Sequence, residues 1–183
     1  MRDKVKNKAA FAVLSVVFCL LAFATLAQAG SSPLQRKILL TATIEGHRVG
    51  WPETVQAIAI QETHAGTYKW TRYGIVGDRG AGFGQKSYGV MQVKIETAKD
   101  VLKRYPYLGS FETDEHLMVA LLTDDEFNIR IAAHYFKMLY ERFGDWRKAV
   151  TSYNAGPSNG AIGRDPNGYT DKIWRIIKDQ VRQ

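Results

Sequence analysis

Outside one segment, the apolar positions of residues 34–181 recur at intervals of three and four, the spacing of one face of an α-helix rather than the alternation of a strand. The pattern predicts a first helix over 34–48 that closes toward Gly50. Trp51-Pro52-Glu53 then puts proline at a favoured first helical position with an acid beside it, opening a second helix that runs to about Glu62. Val55, Ile58 and Ala59 share a stripe of that helix, and three residues further along it stands Glu62, so a carboxylate ends the apolar face.

Residues 63–88 break the pattern. Six glycines among aromatic and polar residues do not suit a long helix, and the segment reads as an extended loop or a short hairpin. Helical spacing resumes over 94–104, stops before Pro106 and restarts near Asp114 through Leu122. Thr123-Asp124-Asp125-Glu126 reads as a capping box. The helix it opens carries Ile129, Ala132, Ala133, Phe136, Leu139, Tyr140 and Phe143 on one face, ends at Gly144 and belongs in the core. Asp145 caps a shorter helix to about Tyr153, Gly156-Pro157 stops it, and 169–181 carries a last amphipathic pattern around Ile173, Trp174, Ile176 and Ile177. The fold class is mainly α, a helical bundle with one elaborate loop.

The front of the chain differs. Arg2, Lys4, Lys6 and Lys8 precede an uncharged apolar run of 19 residues, 9–27, which closes on Ala27-Gln28-Ala29. This is the chemistry of an export signal, with cleavage expected after Ala29 and one domain over 30–183. The run is also long enough to cross a bilayer core of about 30 Å, so a retained N-terminal anchor is the alternative. Cys19, the only cysteine, lies inside it next to Val17 and Phe18, which lack the small side chains expected before a lipidated cysteine. The domain after Ala29 therefore has no disulfide, thiolate metal site or thiol nucleophile.

The net charge of +7 shrinks to +4 when the four cations and one acid of residues 1–29 are set aside. With no basic run after residue 30, a nucleic-acid partner is not expected. A mild surplus suits residence near anionic wall polymers and describes many solvated surfaces equally well.

Three groups of residues carry candidate chemistry. Glu62, on an apolar face, would lose solvation of its charged form, which raises its pKa toward the range of a proton donor. The same position suits a carboxylate at a frayed helix end paired with a cation, and spacing alone does not separate the two. Tyr88-Gly89-Val90-Met91-Gln92 sets a glycine that permits close backbone approach beside an aromatic and an amide. Ser152-Tyr153-Asn154-Ala155-Gly156 brings a phenol, an amide and a turn to a helix end, where Asn154 and Gly156 also serve termination. His64 has no partners at metal-ligand spacing, and no metal or cofactor is expected. Tyr68, Trp70, Tyr73 and Phe83 either stack on sugar rings or pack the loop onto the bundle.

Taken in order, Gln61-Glu62, Gly89 to Gln92 and Tyr153 to Gly156 resemble the motifs of the lytic transglycosylase family in the soluble-transglycosylase and goose-type-lysozyme superfamily, and the resemblance covers about residues 34–174. It implies a lysozyme-like helical domain acting on the glycan strands of peptidoglycan, in the periplasm or envelope. It implies Glu62 as single acid and base, Thr63, Tyr88, Gly89, Met91 and Gln92 along the sugar groove, and Tyr153 with Asn154 positioning Glu62 and the substrate. The family reaction closes a muramic acid's own primary hydroxyl onto its anomeric carbon, giving an anhydro sugar without consuming water.

Two departures stand out. The residue after the glutamate is Thr63 where the family usually has serine, which keeps the hydroxyl. The loop to Gly89 is longer, and its Gly77-Asp78-Arg79-Gly80 and Gly82-Phe83-Gly84 are similar to goose-type lysozymes, which use loop aspartates in hydrolysis. Asp78 is therefore a candidate second carboxylate, with a turn residue as the plain alternative. The rivals are a lysozyme-like hydrolase and a catalytically silent wall-binding module. By analogy with the family, the small size points to local wall opening for a secretion or conjugation assembly.

Overall fold

A computed structural model describes residues 31–67 and 87–182. The expected signal segment 1–29, Asp78 and the loop aromatics Tyr68, Trp70, Tyr73 and Phe83 lie outside the described residues.

Helix α1 (Pro33–Val49) starts on a reciprocal cap in which the Ser32 hydroxyl accepts from the Gln35 amide while the Gln35 side chain accepts from the Ser32 amide, and it stops at Gly50 in the left-handed region. Helix α2 (Pro52–Thr63) follows at once, its proline in the first turn as expected. The corner between them is tight: a Cβ at Gly46 would stand 2.5 Å from the Pro52 Cα, which only glycine avoids. Two short antiparallel strands, β1 (Ser87–Tyr88) and β2 (Val93–Lys94), pair in register Ser87 to Lys94 and Tyr88 to Val93. Among the described residues, a short hairpin therefore stands at the end of the glycine-rich segment.

Helix α3 (Ile95–Arg104) ends before a 3₁₀ turn (Pro106–Leu108), and α4 (Asp114–Thr123) leads into α5 (Asp125–Phe143). The capping box expected at Thr123 does not form. Thr123 still belongs to α4, its hydroxyl donating to the Val119 carbonyl, and Asp124 caps α5 by accepting from the Phe127 amide. With Asp124 as the cap, the third helical residue is Phe127, whose side chain has no acceptor to return to the cap amide.

Helix α5 is the axis of the bundle. Phe127, Ile129, Ile131, Ala132, Ala133, Phe136 and Leu139 are buried, and α1, α3, α4 and α6 all pack on it. Phe136 meets the edge of Trp51 from the α1–α2 corner at 5.7 Å between ring centres. Buried Glu45 of α1 receives Arg130 of α5 at 3.2 Å, with Arg48 at 2.6 Å on the same oxygen. Helix α6 (Trp146–Ala155) is capped by Asp145 as expected, and Gly156-Pro157 ends it, yet Pro157 also opens a short helix α7 (Pro157–Ala161) that periodicity did not foretell. Helix α8 (Tyr169–Ile176) relaxes into a π turn (Ile177–Val181). Among the described residues the fold is mainly helical with a small hairpin, and no helix there is long and apolar enough to cross a membrane.

Because Phe136 is fully buried at the centre of this packing, Phe136→Ala should lower the unfolding free energy by about 3–5 kcal/mol. Urea titration would show a lower midpoint at unchanged slope. A loss under about 1 kcal/mol would mean that α5 is not the centre of the core.

Candidate active site

The site assembles where the C-terminal end of α2, the β1–β2 turn, the end of α6 and the start of α8 meet. Glu62 stands in the last turn of α2, partly buried. Its Oε1 accepts a hydrogen bond from the hydroxyl of Tyr169 at 2.5 Å, across 107 residues of chain. Tyr169 is held there by its own backbone: Asp165 Oδ1 accepts from the Tyr169 amide at 2.9 Å and Oδ2 from the Thr170 amide at 2.8 Å, fixing the first turn of α8. A hydrogen bond between the Thr151 and Thr170 hydroxyls at 2.8 Å ties that turn to α6.

Burial pushes the Glu62 carboxyl above its ordinary range, and the Tyr169 bond, which favours the anion, offsets only part of that. The phenols of Tyr153 and Tyr169 are pushed well above 10, first by burial and then by the negative charge of Glu62. Both therefore stay protonated and act as donors. For Asp165, burial acts upward but is outweighed by the amides of Thr170 and Tyr169, so its pKa falls and it caps as the anion.

The turn between the strands is held by its main chain. Asn128 of α5, fully buried, accepts from the Met91 amide at 2.8 Å and donates to the carbonyls of Tyr88 at 2.9 Å and Leu121 at 3.1 Å. Thr63 donates to the Val90 carbonyl at 2.9 Å, and Tyr153 to the Met91 carbonyl at 2.8 Å. Gly89 has φ +70°, and a Cβ there would lie 2.2 Å from the Leu121 carbonyl oxygen and 2.4 Å from Asn128 Nδ2. Gln92 also takes a left-handed φ of 54°, and its side-chain amide folds back to donate to the Gly89 carbonyl at 2.9 Å.

These contacts redistribute the expected roles. Thr63, Tyr88, Gly89 and Met91 are buried, Met91 completely, and Thr63 supports the turn through its hydroxyl while Tyr88 and Met91 meet Asn128 through their main chain. Tyr153 reaches the Met91 carbonyl, and Tyr169 rather than Tyr153 holds Glu62. Gln92 and Tyr153 are half-buried and Asn154 is exposed, its carbonyl oxygen accepting from Asn167 at 3.3 Å. Tyr169 escaped sequence reasoning because it reads as an ordinary first residue of an amphipathic helix. Asn128 left a signal: it is a polar residue on the same stripe as Ala132 and Phe136, four and eight positions on.

A family model, the transglycosylase SLT domain, matches residues 42–172, well over half of the chain. The chain belongs to the transglycosylase SLT domain family. No curated protein matches it. The matched span runs from within α1 into α8 and includes Glu62, the clamped turn, Tyr153 and Tyr169. Membership makes this SLT domain a peptidoglycan-cleaving enzyme of the transglycosylase type, in a family that acts on the cell envelope.

Two outcomes follow from the SLT site. Asn128→Ala orphans three backbone groups, each worth about 1–3 kcal/mol where water does not reach it; hydrogen exchange at the Met91 amide should accelerate well beyond that of the α5 core, and equal acceleration in both would refute a local clamp. For Glu62, the folded-state pKa lies above the unfolded one, so its contribution to stability is complete below the ordinary carboxylate range and is lost as pH rises through the raised value. Glu62→Gln should accordingly melt higher than the parent at neutral pH, with the gap closing near pH 4; a lower melting temperature at neutral pH would show that the charge is not desolvated.

Proposed function

We propose that Glu62 is the single acid and base of a lytic transglycosylase that cleaves the bond from N-acetylmuramic acid to N-acetylglucosamine. The observation that carries this reading is a partly buried carboxyl with a raised pKa, oriented by a buried phenol. In its protonated form Glu62 donates to the bridging oxygen as the bond from that oxygen to the muramic C1 breaks. The resulting carboxylate then takes the proton of the muramic primary hydroxyl while that oxygen bonds to C1. Proton gain and loss balance on one residue, the product carries an anhydro ring, and no water is consumed. Intramolecular attack at high effective concentration replaces the second carboxylate of a hydrolase.

Tyr169 sets both the direction of the carboxyl and its proton affinity, while Gln92, Tyr153 and Asn154 line the approach to it. Substrate supply at the envelope is met by export through residues 1–29. A goose-type-lysozyme-like reaction would instead enlist Asp78 for an activated water.

Mass spectrometry of fragments released from purified peptidoglycan distinguishes these readings. Anhydro-muramyl ends are expected, falling by about 10²–10⁴ in rate for Glu62→Gln; reducing ends would move the reaction to hydrolysis, and no fragments from the parent would leave a binding module. The rate should fall as pH rises through the elevated Glu62 pKa, since the acid form is the donor. Tyr169→Phe removes a bond that lowers this pKa, so the falling limb should move to higher pH. A limb unmoved in that variant would remove Tyr169 from the proton economy of Glu62.

A further inference from the structure

At the opposite end of α2 from Glu62 lies a depression of about 310 Å³, lined by Trp51, Glu53, Trp146, Trp174, Ile177 and Arg182 among others. Ten residues of helix separate Pro52 from Glu62, a distance of about 15 Å, so this depression is not part of the site above. Its volume falls at the lower end of small-ligand pockets, which span about 300–1,000 Å³.

The walls are fixed before any ligand arrives. Trp146 donates its indole N–H to the Thr54 hydroxyl at 3.0 Å, and Trp174 packs edge-on against it with ring centres 5.9 Å apart. Trp174 is nonetheless 38% exposed, a large indole left facing solvent while its neighbours Ile173 of α8 and Ile177 of the π turn are buried. Beside it Arg182 stacks over the Trp174 ring at 5.7 Å and donates from Nε at 3.0 Å and Nη2 at 2.7 Å to Glu53. Both bonds end on Glu53 Oε2, and among the described residues neither Oε1 nor the second guanidinium amine, Nη1, takes a further hydrogen bond.

The chemistry of this wall selects its occupant. The carboxylate and guanidinium already cancel, which leaves no net attraction for an ammonium or carboxylate group of a peptide. What remains is an aromatic surface beside a planar acceptor and a planar donor, complementary to a neutral ring with an apolar face and equatorial hydroxyls. We propose that this depression is a second saccharide site, seating an N-acetylhexosamine ring of a glycan strand against Trp174 while its free hydroxyl and acetamido groups engage Glu53 and Arg182. The proposal rests on the reading that peptidoglycan is the substrate. Two sites on one domain raise retention on a polymer by effective concentration and leave the chemistry at Glu62 untouched.

The test uses the full-length Glu62→Gln protein and purified peptidoglycan sacculi, with the bound fraction measured by sedimentation. Adding Trp174→Ala or Glu53→Ala should each weaken retention about tenfold, while the same substitutions in the Glu62-intact protein leave turnover of short soluble glycan fragments unchanged. Glu53 is half exposed, so its variant keeps the test standing if Trp174→Ala fails to fold. Undiminished retention in the variants overturns the proposal. So does a loss confined to Trp174→Ala when that variant is folded, because Glu53 would then not engage the sugar, and so does a parallel fall in soluble-fragment turnover, which would mean distortion of α2. Failure of the Glu62→Gln parent to bind sacculi would overturn the substrate reading first, a result visible before any pocket variant is made.

Discussion

The side-chain amide of Asn128 organises the end of this domain that holds Glu62. A turn with two left-handed residues, Gly89 and Gln92, has few backbone hydrogen bonds of its own, and the described strands contribute only two residues each. Without external partners its carbonyls and amides would be buried and unpaired, at a cost comparable to several lost hydrogen bonds. Asn128 supplies an acceptor and two donor bonds from the most deeply packed helix, and Thr63 and Tyr153 supply one further bond each from α2 and α6. The turn is thereby referenced to three helices at once, one of which carries Glu62 on the residue next to Thr63.

The second constraint is electrostatic. A carboxyl in partly apolar surroundings is disfavoured as an anion, and the single charge-supporting bond from Tyr169 does not restore what water would provide. Stability is thus given up at neutral pH at Glu62, the cost of holding a carboxyl where its charged form is poorly solvated. The surroundings that impose it are rigid: Tyr169 is capped by Asp165, tied through Thr170 to α6, and itself kept protonated by burial.

Much of this was legible in the chain. Proline after Trp51, the cap at Asp145 and the glycines at 50 and 144 marked helix ends correctly, because capping depends on a few neighbouring residues. The stripe through Val55, Ile58 and Ala59 led to Glu62 by the same local logic. The failures came where two elements compete for one residue or where partners are distant in sequence. Thr123 was claimed by the helix before it, so the cap moved to Asp124. The bonds of Asn128 to the Met91 amide and the Tyr88 carbonyl span 37 and 40 residues, and no local pattern announces a main-chain clamp of that kind. Tyr169, 107 residues from its acceptor, had no local pattern to betray it.

The close approach of Gly89 to Asn128 and to the Leu121 carbonyl also shapes how this sequence can change over generations. A smaller residue at 128 would open space for a side chain at 89, but it would discard the bonds that hold the turn and leave a φ of +70° that side chains rarely adopt. A larger residue at 89 would meet the fixed Leu121 carbonyl whatever stood at 128. Neither substitution rescues the other, because the backbone conformation at 89 and the Leu121 carbonyl both stand against a side chain there. Val90 is tied to Thr63 through its carbonyl, a bond that does not depend on its side chain, so the buried space around it, and not the clamp, limits what can stand there.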